Sequence, residues 1–309
     1  HYPLRRQRQM CIRDRCNMRR TRQKMLEPSK QHDRSTLQRL QDFLAAKSKL
    51  VVLSGAGISV GSGIPTYRDK AGNWQRSNPI QHQDFMSRKS ARQRYWLRSY
   101  SGWPAVASAV PSPSHHVIAE LERRKIVKMV VTQNVDRLHQ QAGSQTVIDL
   151  HGRLDEVICM HCQTIVSRHT LQSRLTLLNP SFLQQGQIAP DGDADVPEDS
   201  IPSVTVPSCE GCDGILKPNV VFFGDNVEKS IVQRVYDGID DSDGLLIVGT
   251  SLKVFSGYRF CRYAAQQRKP IASINPGLSR GDELIQTIVR EESDDVLTHI
   301  LNNVSSSIG

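Results

Sequence analysis

Four cysteines stand in two C-x-x-C pairs, Cys159–Cys162 and Cys209–Cys212. Four thiolates fill the tetrahedral shell of a zinc ion and leave no position for water or substrate, so the set predicts one structural zinc per chain. The residues between the pairs, 163–208, outnumber the roughly 15–20 of a usual zinc ribbon, which indicates an inserted loop. A redox pair is the alternative, and His161 is an unnecessary fifth ligand.

A second feature is the glycine turn in "VVLSGAGISVGSGIP", residues 51–65. Gly55, Ala56 and Gly57 follow an apolar run, and such a turn lets the backbone approach a pyrophosphate closely. The third glycine of a G-x-G-x-x-G pattern would fall at Val60, but arrives at Gly61. The turn therefore favours a nucleotide-binding site, and the shifted glycine speaks against an enzyme that transfers hydride. A tight turn that binds no ligand is the alternative.

Polar residues also follow four other apolar runs. Asn134 lies in "TQNVD", where an amide stands close to a carboxylate and suits a ribose or a carboxamide. His151 titrates near neutral pH when unperturbed, so its neutral imidazole is a candidate general base. Because parallel strands end at one rim, we expect these groups to meet there. The polar and glycine residues at these run ends are Gln133, Asn134, Asp136, His151, Gly249, Thr250, Ser251, Asn275, Pro276 and Gly277.

The elements that must position these residues alternate between strands and helices. Buried strands are predicted at 50–53, 126–131, 244–248 and 270–274. Helices are predicted after the N-caps Ser35 and Ser114, and over residues 227–239. The alternation predicts an α/β fold with a Rossmann-like, doubly wound parallel sheet. Residues 66–113 show no clear strand, and 155–217 carry the cysteine pairs.

Charge and hydropathy exclude other classes. The formal net charge is +9, but residues 1–30 hold ten Lys/Arg against two acids, so the remainder is nearly neutral. We therefore expect no specific nucleic-acid partner. We also expect no membrane partner, because no apolar run approaches the roughly 18–20 residues of a membrane helix. The acidic loop "DGDADVPEDSIP" lacks the glycine and glutamate of a calcium loop.

The N-terminal stretch "QMCIRDR" resembles a translated transposase adapter from sequencing libraries. We hypothesise that residues 1 to about 16 are such an artefact and that translation starts near Met18 or Met25. An Arg-rich transit peptide is the alternative. The expected location is cytoplasmic, or the mitochondrial matrix for a eukaryotic source.

The motifs "GAGISVGSGIPTYR", "TQNVDRLH", "LHG", "LKPNVVFFGD" and "VGTSLKV", with the cysteine pairs between them, resemble the sirtuins in order and spacing over residues 35–300. Sirtuins are NAD-dependent protein deacylases. The long gap between the pairs and "RQRYWLRSYSGWP" resemble the class II branch that includes mitochondrial sirtuin four and its bacterial relatives.

The resemblance implies a Rossmann-like domain of residues 31–65, 114–154 and 218–305. It also implies a smaller domain of residues 66–113 and 155–217 that carries the zinc. NAD is then consumed as a co-substrate together with an acyl-lysine protein or peptide, and nicotinamide is released. The resemblance implies His151 and Asn134 as catalytic residues and Val221, Phe222, Phe223 and Gly224 as the strand that pairs with substrate. It adds Ile58, Pro65, Tyr67, Arg68 and Val135 to the cofactor residues already named.

Three departures from the common sirtuin pattern stand out. Thr66 replaces an aspartate, Asp225 replaces a glutamate, and Val254-Phe255-Ser256 replaces the common V-x-P. Arg94, Tyr95 and Arg98 are candidates for shaping the acyl pocket, where an arginine would favour an acidic acyl group.

Two alternatives to a deacylase remain open, a protein mono-ADP-ribosyltransferase and a non-catalytic NAD or zinc interaction module. A monomer is favoured.

Overall fold

The computed structural model describes residues 34–67, 69, 79–180, 201 and 203–305, without the side chains of residues 34 and 303–305. The basic tail of residues 1–30, Arg68 and the acidic stretch 191–200 lie outside these residues. Within the described part, no helix is long and apolar enough to cross a membrane.

Six strands form one parallel sheet, in the order β3-β2-β1-β7-β8-β9. Numbered along the chain within this sheet, the order is 3-2-1-4-5-6, that of a doubly wound dinucleotide-binding fold. The predicted fold class is confirmed. The order reverses between β1 and β7, so ligands are expected beyond the ends of these two strands. The strands are β1 (Leu50–Ser54), β2 (Val127–Thr132), β3 (Val147–Asp149), β7 (Gly244–Val248), β8 (Ile271–Ile274) and β9 (Thr287–Val289).

Helices cover both faces of this sheet, which is why its central strands are apolar throughout. Val52 and Leu246 point into one core with α1, α4 and α9, while Val51 and Leu245 point into the other with α7 and α8. The helices of this part are α1 (Arg34–Ala45), α4 (Pro113–Arg123), α5 (Leu138–Gln141), α7 (Lys229–Asp240), α8 (Phe255–Gln266) and α9 (Ser293–Ser305), with 3₁₀ helices at Ala56–Ser62 and Asp282–Leu284.

A second, antiparallel sheet has the strand order β5-β4-β6. Its apolar face shares one core with the helices beside it, in which Trp96, Val157 and Leu171 are buried. The described parts of residues 66–113 and 155–217 therefore pack together, and the exact domain boundaries remain a prediction. The elements are β4 (Gly152–Cys159), β5 (Ile165–Ser167), β6 (Leu216–Val220), α2 (His82–Ser87), α3 (Lys89–Ala107) and α6 (Arg168–Leu178).

Both predicted N-caps are wrong. Ser35 lies inside α1, which begins at Arg34. The cap of α4 is Ser112, whose hydroxyl and backbone N–H both meet the His115 side chain. Ser114 instead donates to the carboxylate of Asp294 in α9, because that helix packs across the start of α4. Strand and helix ends elsewhere lie within two residues of the predicted positions.

Candidate functional site

A cavity of about 600 Å³ lies beyond the ends of β1 and β7, at the switch point of the sheet. Residues from both sheets line it, so it lies between the parallel sheet and the zinc-bearing part of the fold. The predicted site residues that line it are Gly55, Ala56, Gly57, Tyr67, Gln133, Asn134, Val135, His151, Val221, Phe222, Phe223, Gly224, Gly249, Thr250, Ser251, Asn275, Pro276 and Gly277.

The glycine turn is fixed by backbone contacts with the turn after β7. Gly55 N–H donates to the Val248 carbonyl at 3.1 Å, and Gly57 N–H to the Gly249 carbonyl at 2.8 Å. A Cβ on Gly57 would lie 2.7 Å from the Gly249 Cα, closer than such atoms approach. Glycine is therefore required at position 57 for the two turns to touch. Because it has no side chain, the rim of the cavity stays open there.

The 3₁₀ helix after the turn anchors the polar end of β2. Asn134 Nδ2 donates to Ser59 Oγ at 3.0 Å and to the Gly55 carbonyl at 3.2 Å. Ser59 Oγ in turn donates to Asp136 Oδ2 at 2.7 Å. Asp136 also accepts from the Leu138 N–H at 3.0 Å. Burial raises the pKa of Asp136, although both of these bonds favour its charged form.

His151 lies between the two sheets, directly before β4, and has a defined tautomer. Its Nδ1 is 2.9 Å from the Gln133 carbonyl, which can only accept, so Nδ1 carries the hydrogen. The neutral ring then has its lone pair on Nε2. Burial lowers the pKa of His151, and the bond to the carbonyl opposes that shift. The imidazole is thus neutral at physiological pH and able to accept a proton at Nε2.

The remaining strand ends complete the rim. Gln133 Nε2 bridges the Ser54 carbonyl at 3.2 Å and Thr250 Oγ1 at 3.0 Å, which joins the ends of β1, β2 and β7. Asn275 Nδ2 donates to the Gly277 carbonyl at 2.8 Å and closes the turn after β8. These contacts hold a polar rim whose groups converge on one ligand.

The predicted substrate strand follows β6 along the cavity. Its start is tied to His151, since the Val221 N–H donates to the His151 carbonyl at 2.8 Å. Near its end, the His82 N–H donates to the Phe223 carbonyl at 2.9 Å, and Gln81 forms a β-bridge with Phe223. The start of α2 therefore already pairs with part of this segment.

An apolar wall borders the same segment. Tyr95 of α3 packs against Phe222 with ring centroids 5.2 Å apart and against Phe85 at 5.5 Å. Lys217 lies behind Phe222, with Nζ 4.5 Å from the ring centroid, and burial lowers its pKa to about 8. Of the three residues considered for the acyl pocket, Tyr95 lines the cavity. Arg94 and Arg98 are not among its lining residues, and Arg94 is exposed.

Three other predicted cofactor residues do not line the cavity. Ile58 is fully buried in the core under the 3₁₀ helix, so it supports the turn from beneath. Asp136 acts on the rim through Ser59, and Pro65 lies outside the lining. Gly61, the late third glycine of the turn, belongs to the 3₁₀ helix.

Sequence reasoning missed the wall formed after β7. Lys253, Val254, Phe255, Ser256 and Arg259 all line the cavity. The available signal was the departure at Val254-Phe255-Ser256, directly after a polar strand end.

The four cysteines form the expected metal centre. Their Sγ atoms lie within 4.8 Å of one another, with Cys159–Cys212 at 3.5 Å and Cys162–Cys209 at 3.7 Å. Zinc bonded to sulfur at about 2.3 Å in tetrahedral geometry needs sulfurs about 3.8 Å apart, so the set fits zinc. Among the described residues, the clustered ligand atoms are those of the four cysteines; His161 is exposed and does not belong to the group.

Both C-x-x-C pairs adopt the same local turn. Gln163 and Asp213, each directly after the second cysteine, have positive φ of 61° and 54°. Their N–H groups donate to the carbonyls of Cys159 and Cys209 at 3.0 and 2.9 Å. Two matching turns from distant segments present their sulfurs to one point, as a structural metal site requires.

Comparison with known families and proteins gives a consistent result. A family model described as the Sir2 family matches residues 55–256. The chain is 48% identical over 265 residues to NAD-dependent protein deacetylase 2 of Bradyrhizobium diazoefficiens, covering 85% of this chain and 97% of that protein. It is 42% identical over 270 residues to the NAD-dependent protein deacylase Sirt4 of Drosophila melanogaster, covering 86% of each.

Solved structures agree with the fold. A Sir2 enzyme structure, described as a basis for mechanism and regulation, superposes with a TM-score of 0.69 at 27% identity, covering 88% of this chain and 98% of that one. A mutant Sir2 homologue in complex with ADP-ribose gives a TM-score of 0.68 at 28% identity, covering 86% and 97%.

Proposed function

We propose that this chain, which belongs to the Sir2 family, is an NAD-dependent protein-lysine deacylase. The observation that carries the proposal is the placement of His151. Its Nε2 lone pair lies in a cavity whose rim combines the glycine turn with three further polar strand ends. The resemblance to class II sirtuins agrees with the relative from Drosophila melanogaster.

The residues of the cavity suit NAD. Gly55 and Gly57 bring backbone close to the ligand without side chains, which suits a pyrophosphate, and Gln133 and Asn134 offer amides for a ribose or a carboxamide. NAD, when bound, supplies a ribose carbon whose bond to nicotinamide can break, and the ribose that then receives the acyl group.

The chain supplies a base and a place for the substrate. His151 accepts a proton from a ribose hydroxyl at Nε2, which makes that oxygen nucleophilic toward the acyl carbon. The backbone of Val221–Gly224 pairs with the substrate peptide and directs its acyl-lysine toward the cavity. With NAD bound, the acyl-lysine oxygen would take the place of nicotinamide on the ribose carbon, and one water molecule would be consumed as the lysine amine leaves. The products would then be nicotinamide, the free lysine and O-acyl-ADP-ribose.

We further propose that the acyl group is neutral. The lining near Phe222 consists of Ile80, Tyr95, Leu154 and Val220, which offer apolar surface. Among the described residues, the basic side chains of the lining are Lys253 and Arg259, on the loop after β7 and on α8. Among the described lining residues, none on the Tyr95 side carries a cation, since Lys217 lies behind the Phe222 ring and outside the lining.

A peptide panel tests both statements. The full chain is incubated with NAD and peptides carrying acetyl-, butyryl-, octanoyl- or succinyl-lysine, and nicotinamide and O-acyl-ADP-ribose are quantified by mass spectrometry. We expect one O-acyl-ADP-ribose per nicotinamide, with the succinyl peptide slowest. His151→Ala should lose acyl transfer by about 10²-fold or more, the usual range for a general base.

Other outcomes point to the alternatives. ADP-ribose found on protein without O-acyl-ADP-ribose would identify a mono-ADP-ribosyltransferase. NAD binding without nicotinamide release would identify a non-catalytic module. A succinyl peptide as fast as the acetyl peptide would contradict the neutral acyl group.

Location and assembly remain predictions. We propose a cytoplasmic monomer, to be tested by cell fractionation and by light scattering of the purified chain.

A further inference from the structure

The first turn of α8 brings a hydroxyl to the base. Ser256 Oγ lies 2.7 Å from His151 Nε2, and both residues line the cavity. Because His151 Nδ1 carries the hydrogen that meets the Gln133 carbonyl, Nε2 holds the lone pair and must accept. Ser256 is therefore the donor, and its hydroxyl covers the atom that the proposed reaction uses as base.

The neighbouring residue shows that this approach is built into the packing. A Cβ on Gly257 would lie 2.5 Å from Gln133 Oε1 and 2.7 Å from its Cδ. The Gln133 amide cannot move away easily, because it bridges Ser54 and Thr250. Glycine at 257 thus lets α8 come close enough for Ser256 to reach His151.

The Ser256 hydroxyl is a departure from the common sirtuin pattern. Ser256 stands where the common sirtuin pattern has proline, a residue with no hydroxyl to donate. It is the second residue of α8, in the first turn, where either residue type is compatible with a helix. The helix therefore does not need serine there for its own formation.

We propose that Ser256 is a positioning residue for His151: its hydroxyl fixes the ring orientation and holds the Nε2 lone pair until a ribose hydroxyl of NAD replaces it. This inference rests on the proposed function. A donor to the neutral ring stabilises the neutral form, so Ser256 keeps the base ready at lower pH in the enzyme without NAD.

The charged groups around the cavity do not account for the lowered pKa of His151. The charged side chains of the lining come from several elements, and are Asp69, Asp225, Lys253, Arg259 and Glu292. None is a cause of the lowered pKa of His151: burial lowers it, and the bond to the Gln133 carbonyl acts against that shift. The hydrogen bond of Ser256 acts in the same direction as burial, toward a neutral ring.

The test compares pH profiles of the wild type with Ser256→Ala and Ser256→Thr. Initial rates of O-acyl-ADP-ribose formation are measured with NAD varied at saturating acetyl-lysine peptide, and kcat/KM and kcat are plotted separately. For Ser256→Ala we expect the acid limb of kcat/KM to move up by about 0.5–1 pH unit, the effect of one neutral hydrogen bond. The acid limb of kcat should stay, because the ribose hydroxyl has replaced Ser256 in the complex.

Two variants serve as controls. Ser256→Thr keeps a hydroxyl and should retain the wild-type kcat/KM profile. Ser230→Ala changes a serine at the matching second position of α7, which is exposed and does not line the cavity, and should also leave it unchanged. Thermal unfolding of each variant shows that it is folded.

The outcomes separate this inference from the proposed function. If the wild type forms no O-acyl-ADP-ribose, the proposed function fails. If it does, and Ser256→Ala keeps the wild-type acid limb or loses rate equally at every pH, the positioning role alone is wrong.

Discussion

One serine hydroxyl, that of Ser59, connects the two polar side chains at the end of β2. It accepts from Asn134 and donates to Asp136, which lies outside the cavity lining. The amide that faces the ligand is therefore held in place by a carboxylate behind it. The pattern "TQNVD" predicted a polar strand end, but which residue faces the ligand depends on a serine more than 70 positions earlier in the chain.

Replacing that carboxylate tests the arrangement. Asp136→Asn keeps the size of the side chain but turns one acceptor into a donor, against the donating Leu138 N–H and Ser59 hydroxyl. We expect a loss of about 1 kcal/mol in unfolding free energy, measured by urea denaturation, and weaker NAD binding by calorimetry. Asp237→Asn on the exposed side of α7 is the control. Unchanged NAD affinity in Asp136→Asn would show that Asn134 does not depend on this contact.

Among the elements, the two C-x-x-C turns could be predicted from the sequence, but helix α3, which packs in the same core, could not. C-x-x-C pairs have few other uses in such a pattern, so the ligands could be named. Helix α3 is buried on most of its circumference, with ten buried residues, and such a helix shows no apolar stripe. Its contacts, such as Trp96 Nε1 to the Leu216 carbonyl at 3.2 Å, join segments 120 residues apart.

Zinc should hold this part of the fold together. In Cys209→Ser we expect zinc content by atomic spectroscopy to fall from one per chain toward zero, with a lower unfolding temperature, because three thiolates no longer complete the shell. The core around Trp96 includes Cys159 and Cys209, so its tryptophan fluorescence should change as well. His161→Ala removes the exposed side chain beside the site and should leave one zinc per chain. Full zinc content in Cys209→Ser would contradict the four-cysteine site.

In the molecule as a whole, a buried pair of imidazoles joins helices α4 and α5 to the end of β1. His115 of α4 and His139 of α5 pack with ring centroids 4.8 Å apart, and His139 Nε2 meets Ser54 Oγ at 2.8 Å. Burial lowers the pKa of His115 to about 4, against the attraction of Asp294, and lowers that of His139 well below its usual value. Both rings are therefore neutral in the folded chain.

This pair predicts how stability depends on pH. A depressed folded pKa means that the unfolded chain binds protons first, so stability is present above pH 6.5 and falls as the pH drops toward 4. For His115 the loss is about 2 kcal/mol between pH 7 and pH 5. His115→Gln keeps an acceptor for the cap of α4 but cannot titrate. We expect the unfolding temperature of His115→Gln to fall less over that pH interval than that of the wild type. The unfolding temperature of the exposed control His116→Gln should fall as much as that of the wild type.

The doubly wound parallel fold class followed from the sequence because alternating strands and helices allow few topologies. The caps of α4 show the limit of such reasoning. Ser112 and Ser114 are similar by local pattern, and both donate to Asp294, which lies 180 residues after Ser114, so the contact that fixes this helix start is far away in the chain. A single sequence carries no local signal for a contact of that range.

Contacts between residues far apart in the chain also determine when the glycine turn can form during synthesis. The turn leaves the ribosome early, yet its backbone partners are Val248 and Gly249, and Asp294 lies against Gly61 in the helix that follows. About 190 residues are added between the turn and Gly249, which takes roughly 10–40 s at ribosomal speed. Throughout that interval β1, a strand whose five residues are all buried in the finished fold, lacks its neighbour β7. The nascent chain therefore cannot recognise NAD until its final part has emerged, and it presents a chaperone with exposed β1 in the meantime.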